Sequence, residues 1–448
     1  MSDLLSIGAS GVNAYQTALS TVSENIANTG VAGYSRRTVS LKEVAAAGTS
    51  LTSTALNSGS GVIASGINRA TDAFRNAAVR SSSADLARTE AGSTWLDGIQ
   101  TALTGNKLGT QLTSFFNAAT TLAADPTSTA SRATMLEGAN SLAAAFTATG
   151  SALASVAGDL DATAMQATQS LGALGLALAK VNDGLARTQA GSGAAAGLAD
   201  QRDQLLEQMS AISDVSAVTD AAGRATVRLG GAAGPVFVAG SEAGHVSYVR
   251  NEEGAVSFAV ERAGTNSTLS PNGGVLAGIA EGVQRVAAAR DQLNTLATTF
   301  VDGINAVQAQ GQDLDGAPGA AMFATGATPS DVSMVLRDPR GLAAAAAGGG
   351  ARDNSNLAKF ETLRNSSQVE AGVTALVAGN ASALSGKQAV AEAQGAIRDN
   401  AVAALDSATG VNLDSEAVDL LRFQQAYQAS ARIIQVARET MQSILEIR

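Results

Sequence analysis

Few residues in this 448-residue chain are of the types that usually carry out chemistry. The chain contains no cysteine and one histidine, His245. Disulfides and thiolate metal sites are therefore impossible, and one histidine is too few for a multi-histidine metal site. His245 falls in a β-favouring run with no serine, aspartate or cysteine motif beside it. We expect it to occupy a strand position without a catalytic role.

Three short motifs have the outline of ligand-binding loops. Gly59-Ser60-Gly61-Val62-Ile63-Ala64 fits the G-x-G-x-x-A pattern, whose glycines let a backbone approach a pyrophosphate. It follows a Ser/Thr-rich stretch rather than a buried strand, so we expect a turn here, and likewise at Gly191-Ser192-Gly193. Asp313-Leu314-Asp315-Gly316 resembles the start of a calcium loop, but no glutamate follows at the spacing of an EF-hand. We expect a solvated turn there.

The charged residues are scattered and mostly acidic. Lys and Arg number 29 against 39 Asp and Glu, for a formal charge of −10, which opposes binding to nucleic acid. A carboxylate pair for glycoside cleavage would come together only on folding, and nothing in the sequence singles one out. We therefore predict no enzyme activity, no cofactor and no metal site. A secreted cell-wall hydrolase or a calcium-binding module remains the alternative from another functional class.

The N-terminal segment lacks the features of a targeting sequence. No Lys or Arg precedes Arg36, and no uninterrupted apolar run is present. We therefore expect neither a cleaved secretory signal nor a membrane anchor, and no membrane insertion.

Both ends of the chain carry an apolar seam with heptad spacing, which is typical of a coiled coil. The N-terminal seam consists of Leu5, Val12, Leu19 and Ile26, with Tyr15 and Val22 between them. The C-terminal seam consists of Leu420, Tyr427, Ile434 and Met441, each followed three residues later by Phe423, Ser430, Ala437 and Ile444, of which only Ser430 is polar. Ordinary core helices would show the same periodicity, so the pattern alone supports core packing and packing between molecules about equally. We expect the first helix to stop at Asn28-Thr29-Gly30 and Asp414 to cap the last.

The secondary structure predicted between the two seams changes from helix to strand and back to helix. Residues 80–212 are Ala-rich with apolar stripes, which predicts several helices. Short β-favouring runs separated by turn signals then predict an antiparallel β insertion over residues 213–274. These runs are Ala225 to Leu229, Val236 to Val238, Val246 to Val249 and Val256 to Val260. The helical period returns from Leu276 to Val307, whereas residues 311–356 are predicted to be loop-like.

The length of the chain favours two to four domains, because one hydrophobic core rarely serves more than about 300 residues. Aromatic residues make up only 3%, so we expect an interior built largely from Ala, Val, Leu and Ile. The predicted fold is mainly α and elongated, with paired terminal helices, a helical middle layer and a small β insertion. The predicted domains are residues 1–40 with 406–448, residues 41–212 with 275–405, and residues 213–274.

Motifs in both seams resemble those of bacterial flagellar axial proteins. Asn25-Ile26-Ala27-Asn28-Thr29 followed by Gly33-Tyr34-Ser35-Arg36-Arg37 looks like that family's N-terminal signature. The stretch from Gly410 to Glu416, followed by Leu421 to Arg432, is similar to the hook-associated proteins of the FlgK type. Gln201 to Leu206 also resembles the helix that leads to this family's variable β domain. Arg37 departs from the family pattern, which often has Gln there.

The resemblance implies a non-enzymatic subunit that joins hook to filament at the hook tip and is required for filament growth. It implies export through the flagellum's own type III channel without a cleaved signal, to an extracellular position. The implied partners are the hook protein, another hook-associated junction protein, further copies of this chain, and an export chaperone on the C-terminal helix. The interface residues predicted on this basis are Leu5, Val12, Leu19, Val22, Ile26, Leu420, Phe423, Tyr427, Ile434, Met441 and Ile444. A hook or distal rod protein is the nearest alternative, and Phe423-Gln424-Gln425 argues against it.

Overall fold

The computed structural model describes residues 2–44, 61–251 and 254–446. Helices contain 65% of the described residues, and this confirms the predicted fold class. The helices are α1 (Ser2–Ala27), α2 (Ala73–Gly105), α3 (Leu108–Ala124), α4 (Thr129–Arg187), α5 (Gly193–Ile212), α6 (Gly274–Ala309), α7 (Leu357–Ser367), α8 (Val369–Thr409) and α9 (Leu413–Glu446). The strands are β1 (Arg37–Glu43), β2 (Val62–Arg69), β3 (Val215–Thr219), β4 (Ala225–Leu229), β5 (Val236–Ala239), β6 (Glu242–Ala243), β7 (His245–Arg250), β8 (Val256–Arg262), β9 (Thr265–Leu269), β10 (Gly311–Gln312), β11 (Phe323–Thr325), β12 (Val332–Met334) and β13 (Ala345–Ala346).

The body of the protein is a bundle in which α2, α4 and α6 pack along one another. The side chains of Asp72, Ser128 and Ser192 cap α2, α4 and α5 by accepting backbone N–H hydrogen bonds in the first turn. By length and composition α4 could cross a membrane. Its apolar residues instead contribute to both hydrophobic cores of the described chain.

One of these cores contains a cluster of phenylalanine rings, which the composition did not predict. Six of the chain's ten phenylalanines gather where α3, α4, α6 and α7 meet, with ring centroids of neighbouring pairs 5.3–6.3 Å apart. They are Phe115, Phe116, Phe146, Phe300, Phe323 and Phe360. Most of the other residues in this core are Ala, Val, Leu and Ile, as expected. The same residue types dominate the second core, in which α4, α5 and α6 pack against the β insertion.

The β insertion consists of two antiparallel sheets, with strand orders β3-β4-β5-β6 and β7-β8-β9. All four predicted β runs form strands. The strands β3 and β9 were not predicted. Residues 311–356, which were predicted to be loop-like, also contain two small antiparallel ladders, β10–β13 and β11–β12. Backbone pairing in this stretch is too short to leave a periodic sequence signal.

The two ends of the chain meet beside a β-hairpin. α1 ends at Ala27 and leads into a turn, as expected, and β1 then pairs with β2. At the start of α9 the side chain of Asn412, not Asp414, accepts the hydrogen bond from the backbone N–H of Ser415, at 3.1 Å. The predicted cap was therefore two residues too late. β1 crosses residue 40 and α8 continues past residue 405, so the proposed domain limits stay predictions.

Candidate assembly interface

The terminal helices α1 and α9 pack antiparallel through small residues. A β-carbon built on Gly8 would lie 2.7 Å from Cγ1 of Ile434, and one on Gly11 would lie 2.5 Å from Oγ of Ser430. The absence of side chains at these glycines lets the two backbones approach closely. Further along, the rings of Tyr15 and Phe423 lie 6.3 Å apart. Ser430, which interrupts the apolar seam in the sequence, thus faces a glycine.

The structure brings most of the predicted seam residues into this helix pair. Val22 is buried, and eight more are half-buried: Leu5, Val12, Leu19, Ile26, Leu420, Phe423, Tyr427 and Ile434. The remaining two, Met441 and Ile444, are 49% and 54% exposed. Gly8 lies opposite Ile434 and the two helices are antiparallel, so the N-terminus of α1 lies near Met441. The last turns of α9 therefore extend beyond the end of α1. The role of these residues in binding other chains stays a prediction.

A second apolar row on α9, which the sequence analysis missed, faces away from α1. Its members are Val418, Leu421 and Val436, between 58% and 65% exposed. We call these three residues the outer stripe. With about 3.6 residues per turn, they lie on the side of α9 opposite Phe423 and Tyr427. The signal in the sequence was sparse, since Val418 and Leu421 are three apart and Val436 follows Val418 after 18 residues, or five turns.

Buried polar side chains fix the other end of the helix pair. Asn25 and Glu416 are both fully buried, and the amide of Asn25 donates to the Glu416 carboxylate at 2.9 Å. Arg36 donates to the same carboxylate at 2.6 Å, and the hydroxyl of Tyr34 donates to Asn25 at 2.9 Å. Burial raises the pKa of Tyr34, although the charge of Arg37 acts in the opposite direction. Each buried charge therefore has a partner, as a stable fold requires.

The same network continues into the body. The carboxylate of Asp200, on α5, accepts hydrogen bonds from Arg37 at 3.0 Å and from Arg69 at 2.6 Å. Arg37 also lies over the ring of Tyr34, 4.9 Å from its centroid. We call these residues, together with Asn25, Arg36 and Glu416, the polar joint. It connects α1, α9, the β-hairpin and α5, and the departure from the family pattern at Arg37 lies within it.

The motifs weighed as ligand sites occupy ordinary structural positions. His245 is exposed on β7 and pairs in register with Glu261 of β8. Asp313 accepts backbone hydrogen bonds from its own turn, and Asp315 forms an ion pair with Arg340. Among the described residues no group of three or more His, Asp or Glu side chains is arranged to hold a metal ion.

The described residues of the two glycine motifs have structural roles. Gly59 and Ser60 lie outside the described residues, and the backbone at Gly61 approaches α1. Val62, Ile63 and Ala64 begin strand β2, so the predicted turn was wrong for this part of the motif. Gly191 has a positive φ of 74°, and its carbonyl accepts a hydrogen bond from the backbone N–H of Ile67 on β2. This glycine is needed for a tight turn against the hairpin.

Sequence comparisons relate the chain to flagellar proteins. The profile of the flagellar hook-associated protein FlgK helical domain matches residues 94–323, just over half of the chain. The profile of the flagellar basal body rod FlgEFG protein C-terminal region matches residues 405–447, which include all of α9.

Individual relatives agree with the profiles. Flagellar hook-associated protein 1 of Salmonella typhimurium is 30% identical over 337 residues, 73% of this chain and 60% of that protein. The Escherichia coli K12 protein of the same name is 26% identical over the whole length of both chains. The flagellar hook junction protein FlgK from Burkholderia pseudomallei shares 21% identity over 55% of this chain and 46% of its own, with a TM-score of 0.49.

Proposed function

Because the chain belongs to the FlgK family of flagellar hook-associated proteins, we propose that it is a structural subunit joining hook to filament. It would assemble at the hook tip and be required for filament growth. The observation that carries this proposal is the outer stripe of α9. One side of α9 already packs on α1, so the three apolar side chains of the stripe are left largely exposed within the described chain, and a neighbouring subunit would cover them.

The proposed mechanism is packing without chemistry. α9 would contact hook protein, another junction protein and further copies of this chain through the outer stripe and its projecting last turns. The polar joint would hold the α1–α9 pair at a fixed angle to the body. Before assembly, an export chaperone on α9 would cover the same apolar residues. We also propose that the chain is exported through the flagellar type III channel to an extracellular position, in keeping with the family.

The match of α9 to the rod and hook profile supports one alternative, a hook or distal rod subunit. Electron microscopy of a deletion strain, with a blot of its medium for flagellin, separates the two. Bare hooks with flagellin lost to the medium would support the junction role. Missing hooks would favour a rod or hook subunit, and normal filaments would contradict both.

A further inference from the structure

Helix α8 buries very little of its surface. Of its 41 residues only Val369, Val373 and Thr409 are buried. It packs chiefly on α2, for example through Asn380, whose amide donates to the carbonyl of Leu96 at 2.9 Å. A core-facing helix buries about three to four residues in every two turns. Along most of its length, α8 therefore has one face that the rest of the described chain does not cover.

The bare side of α8 has a ridge of small side chains, a row of acids on one flank, and exposed Val390 and Ile397 on the other flank. Small or short side chains form the ridge: Ala371, Ala375, Ala378, Ser382, Ala389, Ala393, Ala396, Asn400 and Ala403. Glu392, Asp399 and Asp406 follow at intervals of seven along one flank of it, and all three are exposed. Asp399 forms an ion pair with its neighbour Arg398, at 3.2 Å. A ridge of small side chains permits another helix to approach closely.

An open groove of about 520 Å³ lies between α4 and α5. Its apolar lining includes Val181, Leu198 and Leu205, and its α4 edge carries Lys180 and Arg187. No ion pair to Lys180 is found in the part of the chain that the structure describes. Arg187 pairs with Asp183 on its own helix, where both side chains are well exposed, so this pair is weak and exchangeable. The groove is thus apolar at its base and positive along one edge.

The charges of the two surfaces are opposite in sign and equal in spacing. Lys180 and Arg187 are seven residues apart on α4, and so are Asp399 and Asp406 on α8. Both helices run toward the polar joint, because α8 ends where Thr409 accepts a hydrogen bond from Arg36 and α4 ends beside β2. Two copies with parallel long axes would therefore place α8 of one parallel to α4 of the other.

The two surfaces lie on different sides of the bundle. Near the polar joint, four helices lie side by side in the order α8, α2, α5 and α4, and Arg75 of α2 makes the contact with α8. α8 and α4 are therefore the outermost helices of this row. A contact between two different surfaces of identical chains is heterologous, and it repeats around a ring or along a helix. This is the symmetry that a tubular array of subunits requires.

We propose that the ridge of α8 docks into the α4–α5 groove of a second copy of this chain. Asp399 then faces Lys180 and Asp406 faces Arg187, while the ridge alanines cover the apolar base of the groove. This proposal rests on the proposed function, since it describes the lateral contact between neighbouring copies in the assembled junction. This contact surface is separate from the terminal helices.

Cysteine cross-linking in assembled flagella tests the contact, because the chain has no cysteine of its own. The proposed register places Ala177 of one copy beside Ala396 of the next. A strain carrying Ala177→Cys and Ala396→Cys should yield a ladder of disulfide-linked oligomers from isolated flagella on a non-reducing gel. The control pairs Ala177→Cys with Ala389→Cys, one heptad or about 10 Å away, beyond the reach of a disulfide.

Each outcome is decisive. A ladder from the first pair alone supports the contact. The absence of that ladder, in flagella that contain the variant, overturns the contact and leaves the junction role standing. A ladder from the control pair overturns the register. If the unmodified chain itself is absent from hook–filament preparations, the proposed function fails.

Charge exchange provides a second test that does not depend on cysteines. Lys180→Glu should reduce incorporation into flagella several-fold through repulsion from Asp399, and adding Asp399→Lys should restore it. Normal incorporation of the single variant would overturn the proposal, as would a double variant that is no better than the single one.

Discussion

Glu416 is the residue on which the polar joint depends most. It is fully buried, and it receives hydrogen bonds from Arg36 and from Asn25, which is also fully buried. Its removal would leave Arg36 with only Asp419 and the Asn25 amide with only the carbonyl of Arg37 among their described partners. Hydrogen bonds to a charged group contribute about 1.5–3 kcal/mol. We therefore expect Glu416→Ala to release the start of α9 from the body, measured as faster amide hydrogen exchange in α1 and α9.

The neighbouring Asp419 provides the control for this variant. It also pairs with Arg36, at 3.2 Å, but its side chain is 27% exposed. Asp419→Ala should cost only about 0–1 kcal/mol, as exposed pairs do. Equal exchange rates in the two variants would contradict the importance assigned to Glu416.

Tyr248 ties the β insertion to α4 in a way that depends on pH. Burial, together with its hydrogen bond to Asp161, raises the pKa of Tyr248 to about 12. The unfolded chain loses this proton near pH 10, so the contribution to stability is complete below pH 10 and is lost between pH 10 and 12. Melting temperatures measured across this range should fall more steeply for the natural protein than for Tyr248→Phe. Parallel curves would show that this tyrosine does not couple folding to pH.

At the scale of residues, the sequence predicted the roles of individual residues better than the networks that their side chains form. His245 and the Asp313 turn lie where residue type and local context placed them. The polar joint was not predicted, because its members come from four separate segments. Asn25 and Glu416 are 391 residues apart in the sequence, and no local pattern connects them.

At the scale of elements, the close approach of α1 and α9 depends on Gly11. A β-carbon there would meet the side chain of Ser430 at 2.5 Å. Gly11→Leu should force the two helices apart, at a cost of about 1–3 kcal/mol, which is typical of overpacking. Limited proteolysis should then cleave α9 at lower protease concentrations than in the natural protein.

Ala9 is a matched control on the exposed side of α1. Ala9→Leu adds a side chain of the same kind without entering the helix pair, and its proteolysis should be unchanged. Equal sensitivity of the two leucine variants would contradict the role of the glycine.

The elements themselves were predictable where their periodicity was long or their composition distinct. The stripe from Leu276 to Val307 predicted nearly all of α6, and the Val-rich runs predicted four strands. β9 was missed because Thr265-Asn266-Ser267-Thr268-Leu269 is polar, which suits an edge strand that is mostly exposed. The sequence did not show how exposed α8 is, because the exposed Val390 and Ile397 are β-branched apolar residues like its buried Val369 and Val373.

At the scale of the whole molecule, the chain begins and ends in one helix pair. Two cores stabilise the body between the ends, whereas the pair has few buried side chains of its own. The sequence predicted this nested arrangement from its matching heptads. It did not predict which face of α9 would stay bare, because that depends on where α1 packs. The body should therefore melt independently of substitutions on that bare face.

The central claim is that the outer stripe of α9 packs against neighbouring subunits. Its most direct test is electron microscopy of hook–filament junctions in a deletion strain complemented with Val436→Asp, which buries a charge in the proposed contact. The account predicts bare hooks and secreted flagellin, with unchanged melting of the body. Val218→Asp, at a 71% exposed valine of the β insertion, should restore filaments. Normal filaments from Val436→Asp would contradict the claim.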